Sequence, residues 1–131
     1  MRSLVNALLA ASLIAAPAVA ARQTPEEQLA KLLEGRTAGK PVSCINLGMA
    51  RSGGDSQKIP GLAMAYRQGS AWYVNRFRGD CPALREDAIL VTRTYSSQLC
   101  RGDTADLVSA SSHISLGSCI FDDFTPYTKA K

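Results

Sequence analysis

Four cysteines, Cys44, Cys81, Cys100 and Cys119, constrain this chain of 131 residues more than any other feature. What they mean depends on the compartment, and the first twenty residues bear on that. Arg2 gives a positive start, Leu4 to Ala16 is a short apolar run, and Pro17 breaks it. Ala18-Val19-Ala20 then sets small side chains where a signal peptidase must accept them. The pattern reads as a secretory signal peptide cut after Ala20. The run is short for a membrane anchor, and a lipoprotein would need a cysteine at the cut. No later run approaches the roughly 18 apolar residues of a membrane span, so none is expected after cleavage. The expected location is periplasmic or secreted.

In an oxidising compartment an even set of cysteines in a short chain argues for two disulfides. Zinc is the competing account, but no two cysteines have zinc-knuckle spacing and His113 is the only histidine. No metal and no other cofactor is expected. Four cysteines allow three pairings. A Cys81–Cys100 bond would be worth on the order of 3 kcal/mol and a Cys44–Cys100 bond slightly more, because loop entropy grows logarithmically. Energy does not choose between them.

The net charge of +4 falls to +3 when Arg2 leaves with the leader. The remaining basic residues are scattered among acidic ones, without the dense aromatic-interleaved stripe of a nucleic-acid surface, so nucleic acid is not an expected partner. The chain divides into the signal peptide (1–20), an N-terminal helix and connector (21–41), and a single disulfide-stapled β domain (42–131).

Thr24-Pro25-Glu26-Glu27 is a capping box with Pro at the first helical position. Leu29, Leu32 and Leu33 then share one face, and Gly35 can end the helix in a left-handed conformation. Arg36 to Pro41 reads as a connector and Val42 to Leu47 as a strand. Arg51 to Ser56 has the composition of a flexible loop. Leu62–Arg67 and Ser70–Phe77, separated by Gln68-Gly69, form the best hairpin signal. Alternation puts Trp72 and Val74 on one face of the second strand, with Tyr73 and Phe77 on the other. Ala88–Tyr95, Thr104–Ala110 and Ile114–Phe121 are further strands, Ser111 to His113 is a turn, and Asp122 to Lys131 is a polar tail. The expected fold class is mainly β (α+β). Five or six short strands make an antiparallel sheet curled into a small barrel or sandwich, with one short N-terminal helix and two disulfides.

Nothing in the chain spells out catalysis. His113 lies among serines, but no nucleophile elbow accompanies it, and choosing a carboxylate pair would be arbitrary. No catalytic residue is assigned, and the protein is read as a non-enzyme. Arg-Gly-Asp occurs at Arg78-Gly79-Asp80 and at Arg101-Gly102-Asp103, each beside a cysteine; turn formation with aspartate caps accounts for both better than adhesion. Tyr66, Trp72, Tyr73, Phe77 and Tyr95 are candidates to line a groove. The first choice of ligand-binding residues is Trp72, Tyr73, Asn75 and Arg76.

Four segments carry a resemblance: residues 35–45 (Gly35 to Ile45, around Cys44), Trp72-Tyr73-Val74-Asn75-Arg76, Ser97-Gln98-Leu99-Cys100 and Phe124-Thr125-Pro126-Tyr127. In this order they resemble a domain-of-unknown-function family of small exported proteins of sphingomonads and related proteobacteria, over most of residues 35–127. The resemblance implies a bacterial envelope setting and brings no catalytic residue, cofactor or substrate. It also implies a Cys44–Cys100 bond with Cys81–Cys119, whereas the positions of the two Arg-Gly-Asp turns favour Cys81–Cys100. The expected function is a non-catalytic, exported binding or envelope-associated module whose partner is a protein or glycan of the cell envelope. The main rival is an inhibitor projecting Arg51–Ser56 into a hydrolase; a small hydrolase ranks third.

Overall fold

A computed structural model of the chain describes residues 15–17, 20–49 and 56–131. The remainder of the signal-peptide reading, and residues 51–55 of the proposed inhibitory loop, lie outside the described residues.

Helix α1 spans Pro25–Leu32 and is bounded as its sequence dictates. The Thr24 hydroxyl accepts from the Glu27 N–H at 3.2 Å, and the Glu27 carboxylate accepts from the Thr24 N–H at 2.8 Å. Gly35 follows at φ +71°, a backbone conformation that glycine adopts without a Cβ clash. An eight-residue helix is marginal alone, and its leucines make it persist. Leu29 is buried, and Leu32 and Leu33 pack with it on Ile59, Ala63, Ala65 and Val74.

Among the described residues ten strands follow, with a turn of 3₁₀ helix at Leu47–Met49: β1 Arg36–Ala38, β2 Cys44–Asn46, β3 Ser56–Ile59, β4 Ala63–Gln68 and β5 Ala71–Asn75, then β6 Ala88–Thr92, β7 Gln98–Cys100, β8 Thr104–Ser109, β9 Ser115–Ile120 and β10 Thr125–Lys129. They form three antiparallel sheets, ordered β1-β10-β5-β4-β3, β2-β7 and β6-β8-β9. The mainly β class holds, with one α-helix among the described residues. The barrel does not: each sheet is open, and closure needs an unbroken ladder that these short strands do not make.

Two regions differ from the sequence reading. The connector Arg36–Pro41 contains β1, and the polar tail contains β10, which lies between β1 and β5. Pairing across the chain overrides the local polarity of both. Pro126 is tolerated within β10 because its backbone faces the stretch just past the end of β1. There its carbonyl accepts from the Gly39 N–H at 2.7 Å, and a Cβ on Gly39 would come 3.2 Å from the proline ring. Strands β3 and β7 complete the set.

The main core draws from all three sheets: Ile45 and Leu99, Met64 and Tyr66, Ala105 and Leu107. Phe77, Phe121 and Phe124 join it, with the Phe121 ring 5.0 Å from Phe77 and 5.9 Å from Phe124. The disulfides are Cys44–Cys100, which ties directly opposed residues of β2 and β7, and Cys81–Cys119, which ties the turn after β5 to β9. Among the described residues no helix is long and apolar enough to cross a membrane.

Candidate functional site

The three sheets leave a cavity of about 370 Å³ where they meet. Its apolar lining comes from Leu47, Met64, Ala88, Leu90 and Leu99; its polar lining is Ser56, Lys58, Tyr66 and Thr92. Alternation along β6 explains the contribution of that strand: Ala88, Leu90 and Thr92 point inward, while Ile89 and Val91 are exposed at 48% and 41%. Among the described residues Lys58 is the only charged one in the lining. Its ammonium donates to the carbonyls of Glu86 at 2.5 Å and Ala88 at 2.6 Å, so the side chain crosses from β3 to the start of β6.

Tyr66 stands opposite Ser56 in the β3–β4 register and packs edge-on against Phe124 at 6.1 Å. Burial holds its phenol above the ordinary tyrosine pKa, because a phenolate here would lose its water. A raised folded value places the sign: Tyr66 supplies its full stability below the unfolded tyrosine pKa of about 10, and loses it as pH climbs toward the folded value. Between pH 9 and 11 the native protein is therefore expected to lose about 1 kcal/mol more stability than Tyr66→Phe, measured by denaturant titration. Equal losses would show that the phenol is not shielded.

The four residues chosen from the sequence do not form one site. Trp72 packs with the cluster under α1, whereas Tyr73 packs on the opposite face of β5 against the main core. This is the alternation expected of Trp72 and Val74 against Tyr73 and Phe77. Asn75 is wholly buried. Its amide donates to the carbonyls of Asp122 at 2.6 Å and Asp123 at 3.4 Å, and its oxygen accepts from the N–H groups of Phe77 and Asp122 at 2.9 and 3.2 Å. All its bonding capacity is spent inside the fold, so it is not a surface contact. Arg76 is exposed, 3.8 Å from Glu26, and lines a separate dent of about 210 Å³ with Asp122, Asp123 and Tyr127. None of the four lines the inter-sheet cavity.

Of the five aromatic candidates, Tyr66 alone lines it, and Tyr95 is fully exposed. Lys58 and Ser56 escaped the sequence reading. The available signal was Pro60-Gly61, a turn that implies a strand on each side of it.

Arg101-Gly102 is a turn and Arg78-Gly79 a bend. Gly79 and Gly102 have φ of +67° and +91°, and Asp103 accepts from the Cys100 N–H at 2.8 Å, the capping role its position suggests. His113 is exposed on the β8–β9 turn with φ +58°. Among the described residues no three His, Cys, Asp or Glu side chains are grouped to hold a metal ion. No family model matches this chain, and neither a curated protein nor a solved structure matches it.

Proposed function

We propose that this protein is a non-catalytic, exported binding module that takes its ligand in the inter-sheet cavity. The observation that carries the reading is the lining itself. Apolar side chains from three sheets surround a few convergent polar groups, in a volume at the lower end of the range for small-ligand sites. A ligand of that size has an apolar body and one anionic or acceptor head for Lys58. Three sheets layered as a sandwich around this space suit such a role, since the ligand enters between layers without opening a ladder. Periplasmic or secreted placement rests on the leader-like residues 1–20 and is supported by two disulfides, which persist in oxidising compartments. Membership of the sphingomonad exported family belongs to the same reading.

An anionic naphthalene dye, 1-anilinonaphthalene-8-sulfonate, tests the cavity directly. The native protein is expected to bind it with a blue-shifted emission. Ala88→Phe, which fills the cavity from β6, is expected to reduce the affinity at least tenfold. Circular dichroism confirms that the variant is folded; Leu90→Phe serves if it is not. Unchanged dye binding by a folded cavity-filled variant would overturn the site.

A further inference from the structure

We infer that the cavity accepts the C-terminal tail of a partner protein as an added β-strand on the free edge of β6, antiparallel to it, with the terminal carboxylate at Lys58. This rests on the cavity being the binding site and goes on to say what fills it. The first support is backbone parity. Ala110 donates its N–H to the Asp87 carbonyl at 2.8 Å, so residues 87, 89 and 91 face β8 in the antiparallel ladder. Ala88, Leu90 and Thr92 therefore turn their N–H and C=O groups away from β8. Among the described residues β6 is an edge strand, and these are the residues of β6 that line the cavity. The Lys58 bond to the Ala88 carbonyl confirms which way that edge looks.

On the far side stands β3, among the described residues the edge of the five-stranded sheet. The Leu62 N–H bond to the Ile59 carbonyl turns Ile59 toward β4. By the same alternation Ser56 and Lys58 face outward, and both line the cavity. The space thus lies between two strand edges; Ala88 already donates its N–H to the Arg85 carbonyl at 3.1 Å and gives its carbonyl to Lys58, so on β6 the outward backbone groups without a partner among the described residues are those of Leu90 and Thr92. An extended chain satisfies such groups; a compact small molecule does not.

Direction and terminus follow from Lys58. Its side chain crosses the gap at the Ala88 end, so a chain entering past Thr92 must stop there. The ammonium has three protons and spends two on the carbonyls of Glu86 and Ala88, leaving one for an anion. A C-terminal carboxylate matches that charge, whereas an N-terminal ammonium would be repelled. Because β6 runs from Ala88 to Thr92, a chain ending at Lys58 runs antiparallel to it. Side chains at the last and antepenultimate positions meet Leu90, Met64 and Leu99, which favours small apolar residues at both.

The probe is the pentapeptide Ser-Thr-Val-Thr-Val, as the free acid and as the C-terminal amide, titrated into the full chain. The acid is expected to bind at least tenfold more tightly than the amide, and Lys58→Met is expected to abolish the difference. Amide exchange at Leu90 and Thr92 is expected to slow at least tenfold on saturation with the acid, while Ile89, already paired to β8, changes little. Equal affinities of acid and amide for the native protein overturn the inference without any variant having to fold. So does protection of Leu90 by self-association in the absence of peptide, which would make the edge a contact between copies of this chain. Failure of the peptide while the naphthalene dye still binds rejects strand addition and leaves the cavity reading standing. Failure of both rejects the site.

Discussion

Reduction of both disulfides is expected to unfold the protein at 25 °C. The chain-entropy relation assigns about 4 kcal/mol to each bond, for sequence separations of 56 and 38 residues. Small domains have total stabilities of about 5–15 kcal/mol, so losing about 8 kcal/mol unfolds all but the most stable of them. The architecture sharpens the expectation. The sheet of β2 and β7 has only two strands of three residues each, and a pair of that size is not independently stable. Cys44–Cys100 holds its ends together, and Ile45 and Leu99 can then complete the core beneath the cavity. Circular dichroism and denaturant titration with and without a thiol reductant check this. A cooperative melt unchanged by complete reduction would show that packing alone suffices.

Asn75→Ala is expected to cost about 3–5 kcal/mol and to lower Tm by more than about 10 °C, at roughly 4–8 °C per kcal/mol in a domain of this size. The side chain accepts from two backbone N–H groups and donates to two carbonyls in the hinge where β5 ends and the approach to β10 begins. Phe77, held at φ +62°, depends on one of those bonds. Alanine leaves these groups desolvated and unpaired, which is far more damaging than losing a surface contact. Asn75→Asp separates the contributions, because it can accept but not donate. At neutral pH it is expected to melt no higher than Asn75→Ala, because it sets a buried carboxylate against the carbonyls of Asp122 and Asp123. A Tm within about 3 °C of native for Asn75→Ala would mean that water replaces the amide without loss.

Local patterns in the sequence carried the local structure. The capping box, the leucine face of α1, the β4–β5 hairpin and the alternation along β5 all follow from short-range rules, and each is found. Long-range pairing was illegible where local chemistry pointed elsewhere. Arg36 to Ala38 is too short and polar to look like a strand, and Pro126 looks like a break in the very segment that becomes β10. Asn75 sits in a run of β-formers and resembles an exposed polar contact; only the return of Asp122 and Asp123 across the chain buries it. The cavity was invisible for the same reason. Its walls come from β3, β4, β6, β7 and the 3₁₀ turn, and no short window of sequence contains them together. The disulfide pairing is Cys44–Cys100 with Cys81–Cys119, and loop entropy alone could not select it.

The position of β10 bears on when this protein can fold. Its largest sheet joins the earliest strand to the latest, since Arg36 meets Lys129 and Ala38 meets Tyr127. Synthesis at about 5–20 residues per second means that roughly 5–19 s separate the making of β1 from that of β10. Until then β1 has no neighbour and β5 lacks one of its two, so the layer stops at three strands, β5-β4-β3. A polypeptide arranged in this way closes its largest layer only once β10 has joined β1 to β5.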